Sequence, residues 1–96
     1  MQHAICATGR FPTAKASAYL QQLSKHFAHK IPVEFDETTS RITLPTGDCT
    51  ITASAHELRV DVSADTVEQL DRAKGIVDSH LERFAFREGF KNMAWG

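Results

Sequence analysis

Between Val33 and Val62 the chain runs through four short stretches of alternating apolar and polar residues, and this alternation limits the fold more than any other feature. Val33 and Phe35 alternate with Glu34 and Asp36, and Ile42 and Leu44 with Arg41 and Thr43. Cys49, Ile51 and Ala53 alternate with Thr50 and Thr52, and Leu58, Val60 and Val62 with Arg59 and Asp61. A period of two places successive side chains on opposite faces of a strand, so each stretch presents one oily and one polar face. Turn-forming residues separate them: Glu37 to Ser40, then Pro45-Thr46-Gly47-Asp48, then a tight turn around Ala55-His56. A parallel crossover needs about a dozen residues, so connections this short join antiparallel neighbours. The stretches predict a meander.

A helical period brackets the meander. Ala16, Leu20, Leu23 and Phe27 recur on one helical face, and Phe11-Pro12-Thr13 reads as the entrance, with Thr13 as N-cap. Pro32 forces Ile31 out of the α region and ends this helix near Lys30. After the meander, Leu70, Ala73, Val77, Leu81 and Phe84 form a second stripe flanked by Val67 and Ile76. Ser63 or Asp65 is the expected cap, Asp65 and Glu68 resembling a capping box, and Gly75 suggests a close-packed point. Ala4 to Thr8 reads as a short first strand, Gly89 as a stop, and Asn92 to Trp95 as a short strand or a fold-back. One-faced helices and a one-faced sheet bury each other best as a two-layer α+β sandwich. Both helices then cover one face of a mostly antiparallel sheet of four to five strands. Arg41, Thr43, Thr50, Thr52, Arg59 and Asp61 are left on the wet face.

At 96 residues, residues 1–96 are expected to form a single domain, since halves would be too small to bury a core. The near-balanced charge, −1 overall, disfavours a dedicated nucleic-acid binder, and the outward sheet residues lack aromatic stacking platforms. No run approaches the roughly 20 apolar residues of a membrane span, and MQHAICATGR lacks the apolar core of a signal peptide. Cys6 and Cys49 make no CxxC and both fall in strand-like runs, where a free thiol behaves as a small buried hydrophobe. The expectation is a reduced, soluble, cytoplasmic chain.

The segments LSKHFAHKIPVEFD (Leu23–Asp36) and HLERFAFRE (His80–Glu88) resemble a family of small prokaryotic proteins, the domain of unknown function 2218 family (DUF2218). The resemblance covers nearly the whole chain and implies a compact α+β fold, with the helix–four strands–helix order of TATA-binding-protein-like domains. It implies a theme of iron and siderophore uptake, and brings no activity, cofactor or catalytic residue.

Among residues able to carry chemistry, the histidines stand out. At 100° per residue, His26 sits roughly 90° and His80 roughly 60° from the centre of its stripe, whereas His29 lies roughly 150° away and faces water. Arg83 and Arg87 follow His80 on the same flank. Side-by-side helices would therefore join His26, His80, Arg83 and Arg87 into a cationic cleft for an anionic small molecule or a protein partner. The bland alternative is boundary histidines satisfied by backbone or by Glu82 and Glu88, beside solvated arginines. A metal-linked, iron-handling role would use His26 and His80, yet a His pair three apart, His26 and His29, without a carboxylate is a weak ligand set. Catalysis would need Cys49 or a histidine in acid–base work, or Asp36 and Asp61 flanking a substrate. Ser24 lies mid-helix with no nucleophile elbow, and His3 and His56 read as surface residues. These residues favour binding over catalysis and call for no cofactor. Phe27, Phe35 and Phe84 read as core, whereas Phe86, Phe90 and Trp95 form an apolar tail that motivates a homodimer.

Overall fold

In a computed structural model describing residues 4–96, the four alternating stretches pair antiparallel as β2 (Val33–Phe35), β3 (Thr39–Leu44), β4 (Gly47–Ala53) and β5 (Glu57–Ala64). Two further strands complete the sheet: β1 (Ile5–Pro12) and the two-residue β6 (Ala94–Trp95). The strand order is β2-β3-β4-β5-β1-β6, with β1 antiparallel to both β5 and β6. The α+β class stands, with six strands rather than four or five and with a strand before the first helix. The short first strand expected at Ala4 to Thr8 is longer than that reading: it runs on through Gly9 and through Phe11 and Pro12, which read as a helix entrance, and all of Ile5–Pro12 pairs with Glu57–Ala64.

Helices α1 (Ala16–Ala28) and α2 (Val67–Ala85) share the apolar face of the sheet, α1 over β2 to β5 and α2 over β5 and β1. Leu20, Leu23 and Phe27 of α1 meet Ile42, Ile51, Leu58 and Val60 of the sheet, and Val77 and Leu81 of α2 join the same core. Each such fully buried side chain contributes about 1.5–3 kcal/mol. Within the core, Ser24 donates to the Leu20 carbonyl (2.7 Å) and lies 2.7 Å from the Ser40 hydroxyl, so neither polar group is left unmatched. On the opposite face, Arg41, Thr43, Thr52 and Arg59 are exposed and Thr50 and Asp61 half-buried, as the alternation requires. No helix among the described residues is long and apolar enough to cross a membrane.

Several boundaries differ from the sequence reading. Thr13 accepts from the Lys15 amide two residues on, and α1 begins only at Ala16, because Phe11 and Pro12 belong to β1. Thr66 caps α2, accepting from the Gln69 amide at 3.1 Å, since Ser63 and Ala64 are still strand. Val67, at the first position of α2, is 67% exposed. Phe35 points to the helix side but lies on the edge strand, 39% exposed. Cys6 is exposed, whereas Cys49 is buried as expected. His56 is an exposed turn residue, and His3 lies outside the described residues.

The tail folds back. Asp78 of α2 accepts from the Met93 amide (3.0 Å) and the Trp95 indole N–H (2.9 Å), which holds β6 against β1. Phe90 and Met93 are buried and Trp95 half-buried, so of the three aromatics that motivated a second copy only Phe86, 59% exposed, stays outside the core. Gly9 makes room for the tail: a Cβ there would lie 2.9 Å from the Trp95 ring.

Two other glycines give opposite expectations. Gly47 has φ +145°, and a Cβ would meet the Ser63 carbonyl oxygen, so Gly47→Ala should cost about 1–3 kcal/mol. Gly75 faces open space, which removes the close packing expected of it, and Gly75→Ala should stabilise by about 1 kcal/mol. Urea unfolding checks both through midpoint shifts of opposite sign.

Candidate functional site

Helix α1 and helix α2 run antiparallel: Tyr19, early in α1, meets Glu88 just beyond α2, and His26, late in α1, meets His80. The His26 and His80 ring centroids are 5.1 Å apart, with planes inclined by 50°. Aromatic rings enclose the pair. Phe27 lies 4.9 Å from His80, and Phe84 lies 6.0 Å from His26. Both histidines are half-buried and His29 is exposed, as the helical period predicts.

The His80 ring is held by its own helix. Its Nδ1 lies 2.6 Å from the Ile76 carbonyl oxygen, so Nδ1 carries a proton and donates, and Nε2 is the ring nitrogen left for a partner. Burial depresses the His26 pKa, and the positive charges of His80, Arg83, His29 and Lys30 push it the same way. Every charged group acting on His26 is thus cationic. Glu82 and Glu88 do not neutralise it; Glu88 is engaged elsewhere. Of the expected four, His26 and His80 touch and Arg83 is close enough to act on His26. Arg87 lies past the end of α2, in a 3-10 turn (Phe86–Glu88), with its guanidinium 5.7 Å from the Phe86 ring centre. The cluster is therefore a triad with Arg87 at a distance along the same flank.

Other candidates fall into structural roles. Cys49 is 2% exposed, and burial, assisted by the Asp61 charge, pushes its thiol up to about 12, where no thiolate forms at neutral pH. The Asp36 carboxylate accepts from the Thr38 amide (2.8 Å), the Thr39 amide (2.9 Å) and the Thr38 hydroxyl, closing the β2–β3 turn, and these bonds lower its pKa. Asp61 accepts from the Thr8 hydroxyl at 2.6 Å and pairs with Arg59 at 3.1 Å. Among the described residues no group of three or more His, Cys, Asp or Glu side chains is arranged to hold a metal ion.

A second polar cluster escapes the sequence altogether. The Glu88 carboxylate accepts from the Thr13 hydroxyl (3.0 Å) and from the Tyr19 hydroxyl. Phe11 stacks on Tyr19 at 6.2 Å and meets Phe90 edge-on at 4.8 Å, covering the bond. Thr13 and Glu88 are 75 residues apart, and the local readings given to them, a helix cap and a partner for the histidines, do not point to each other.

Compared with known proteins, the chain matches over residues 8–96 a family described as an uncharacterized protein conserved in bacteria (DUF2218). The chain belongs to that family, as the two quoted segments indicated. No curated protein matches. The NMR structure of PA4090 from Pseudomonas aeruginosa is similar to it, with 25% identity, a TM-score of 0.78, and coverage of 100% of this chain and 96% of that one. That likeness extends across the whole sandwich.

Tyr19 is the only tyrosine, so phenolate absorbance near 295 nm reports it alone. Burial, the bond to Glu88 and that residue's charge raise its pKa to about 12. Alkaline titration should find no ionisation near 10 while the protein is folded; a folded-state midpoint near 10 would show the Tyr19–Glu88 bond absent from solution.

Proposed function

We propose that this DUF2218 member is a non-enzymatic binding domain that recognises an anionic ligand at the flank formed by His26, His80 and Arg83. The observation that carries this reading is the meeting of the His26 and His80 rings, 5.1 Å apart at the helix margin, where burial and the neighbouring positive charge of Arg83 both press the His26 pKa down. Such a cluster is costly to charge while empty and becomes favourable once an anion is shared between the rings and a guanidinium. Arg83 supplies a planar pair of donors, His80 can donate from Nε2 when protonated, and the Phe27 and Phe84 rings exclude water from one side. Arg87 would extend the flank for a longer anion or an acidic protein segment.

A metal-linked reading is favoured by one feature. His80 donates Nδ1–H to a backbone carbonyl and frees Nε2, the arrangement that orients a ligating imidazole. His26 and His80 would supply only two ligands, so the remainder would come from outside the chain. Elemental analysis and iron or zinc titration of the untagged protein separate this reading from the first.

Proton linkage fixes the sign of the main test. The pKa of His26 is depressed in the free protein and rises beside a bound anion, so binding takes up a proton and tightens as pH falls below about 7. Sulfate stays dianionic over this range and serves as probe. At constant ionic strength the His26 and His80 ring signals should shift saturably with sulfate, with higher affinity at pH 5.5 than at 7.5. Arg83→Ala should weaken binding about tenfold or more, as expected for a charge-assisted hydrogen bond. Equal response to chloride, or an unchanged affinity in Arg83→Ala, would overturn the proposal.

A further inference from the structure

A hollow of about 590 Å³ lies away from the helices, on the wet face of β2, β3 and β4. Its walls come from the alternation. Glu34, Arg41 and Thr50 are directly opposite one another across the three strands, and the Thr43–Asp48 pair lies one step along. Ile42 and Cys49 turn their side chains to the core, so the floor between these pairs is strand backbone.

What distinguishes this corner is the state of its charges. Elsewhere on the wet face the charged groups are matched: Arg10 with Glu57 at 2.9 Å, and Arg59 with Asp61 at 3.1 Å. Arg41 faces Glu34 across a β2–β3 pair and has Asp48 on its diagonal, yet among the described residues it pairs with neither. Opposite and diagonal cross-strand neighbours lie about 5 and 7–8 Å apart, within reach of long side chains. Among the described residues the hollow thus holds an unpaired guanidinium between two unpaired carboxylates, with the Thr39, Thr43 and Thr50 side chains beside them. No aromatic ring lines it, which disfavours nucleobases and the flat faces of sugars.

We infer that this hollow binds a small zwitterion of the amino-acid or dipeptide class. The ligand carboxylate takes the Arg41 guanidinium as a two-pronged partner, and its ammonium takes Glu34 or Asp48, with Thr43 and Thr50 completing the hydrogen bonds. A simple anion would meet the repulsion of two carboxylates, and a simple cation that of Arg41, so only a ligand carrying both charges satisfies the whole set. The volume falls within the usual range for small-molecule sites and exceeds what one amino acid needs, leaving room for a side chain or a second residue. An open, solvated site of this kind binds on the order of millimolar. It stands on a different surface from the His26 flank and does not rest on the reading given to that flank.

Amide-resolved NMR titration with glycine and glycylglycine tests it, with acetate and methylammonium as half-ligands. Either zwitterion should shift Arg41, Thr43, Asp48 and Thr50 saturably, each half-ligand at least tenfold more weakly. Arg41→Gln and the double variant Glu34→Gln/Asp48→Asn, all at exposed positions, should each remove the response while leaving the rest of the spectrum unchanged. No saturable shift up to 50 mM of either zwitterion would overturn the inference. Acetate binding as tightly as glycine, with the carboxamide double variant unimpaired, would overturn it equally, by making the hollow a plain anion site.

Discussion

Everything in this molecule depends on one sheet face that must be covered. β3, β4 and β5 each direct apolar side chains to the same side, and that side cannot remain in water. α1 and α2 are the two elements with stripes wide enough to cover it, so they are driven side by side onto the same surface. Side-by-side helices have facing margins, and whatever those margins carry is brought together. Here the margins carry His26 on one helix, and His80 and Arg83 on the other. The candidate site is thus a by-product of core burial, placed by the hydrophobic effect and given its character by charge.

The chain ends stabilise that arrangement from the far side. β1 extends the sheet beyond β5, giving α2 a surface to rest on, and the tail returns along β1 so that Trp95 crosses Gly9. Asp78 ties this return to α2, and Glu88 ties the exit of α2 to Thr13 and Tyr19 at the start of α1. Glu88 thus ties the end of α2 to the start of α1, and Asp78 ties α2 to the returning tail. Net hydrogen-bond contributions of about 1 kcal/mol each are small beside the core, but those of Glu88 act on the helix register that sets the His26–His80 distance.

Legibility followed the range of the signal. Ile42, Leu44, Ile51, Val60 and Val62 announce their face by period two, and Leu20, Leu23, Phe27, Val77 and Leu81 announce theirs by period 3.6, so the sandwich was readable from short windows. The approach of His26 to His80 followed from geometry alone, because antiparallel helices on one face leave few registers. What failed was non-local or marginal. The second half of β1, beyond the strand expected at Ala4 to Thr8, is specified by pairing with β5, and its Gly9 and Pro12 look like breaks when read alone. The cap of α2 shifted to Thr66 because β5 continues through Ala64, and no local rule says where pairing stops. Arg87 separated from the triad because the helix ends one residue before Phe86, a change of geometry that helical spacing assumes away. That Arg41 pairs with neither Glu34 nor Asp48 among the described residues has no sequence signature.

The claim underlying the whole account is that the two helices share a face in one antiparallel register. Nuclear Overhauser contacts between the ring protons of His26 and His80 test it most directly. Centroids 5.1 Å apart predict clear cross-peaks between the two imidazoles, together with contacts from His80 to Phe27. A spectrum in which neither His26 nor Phe27 shows any contact with His80, while both helices remain formed, would contradict it.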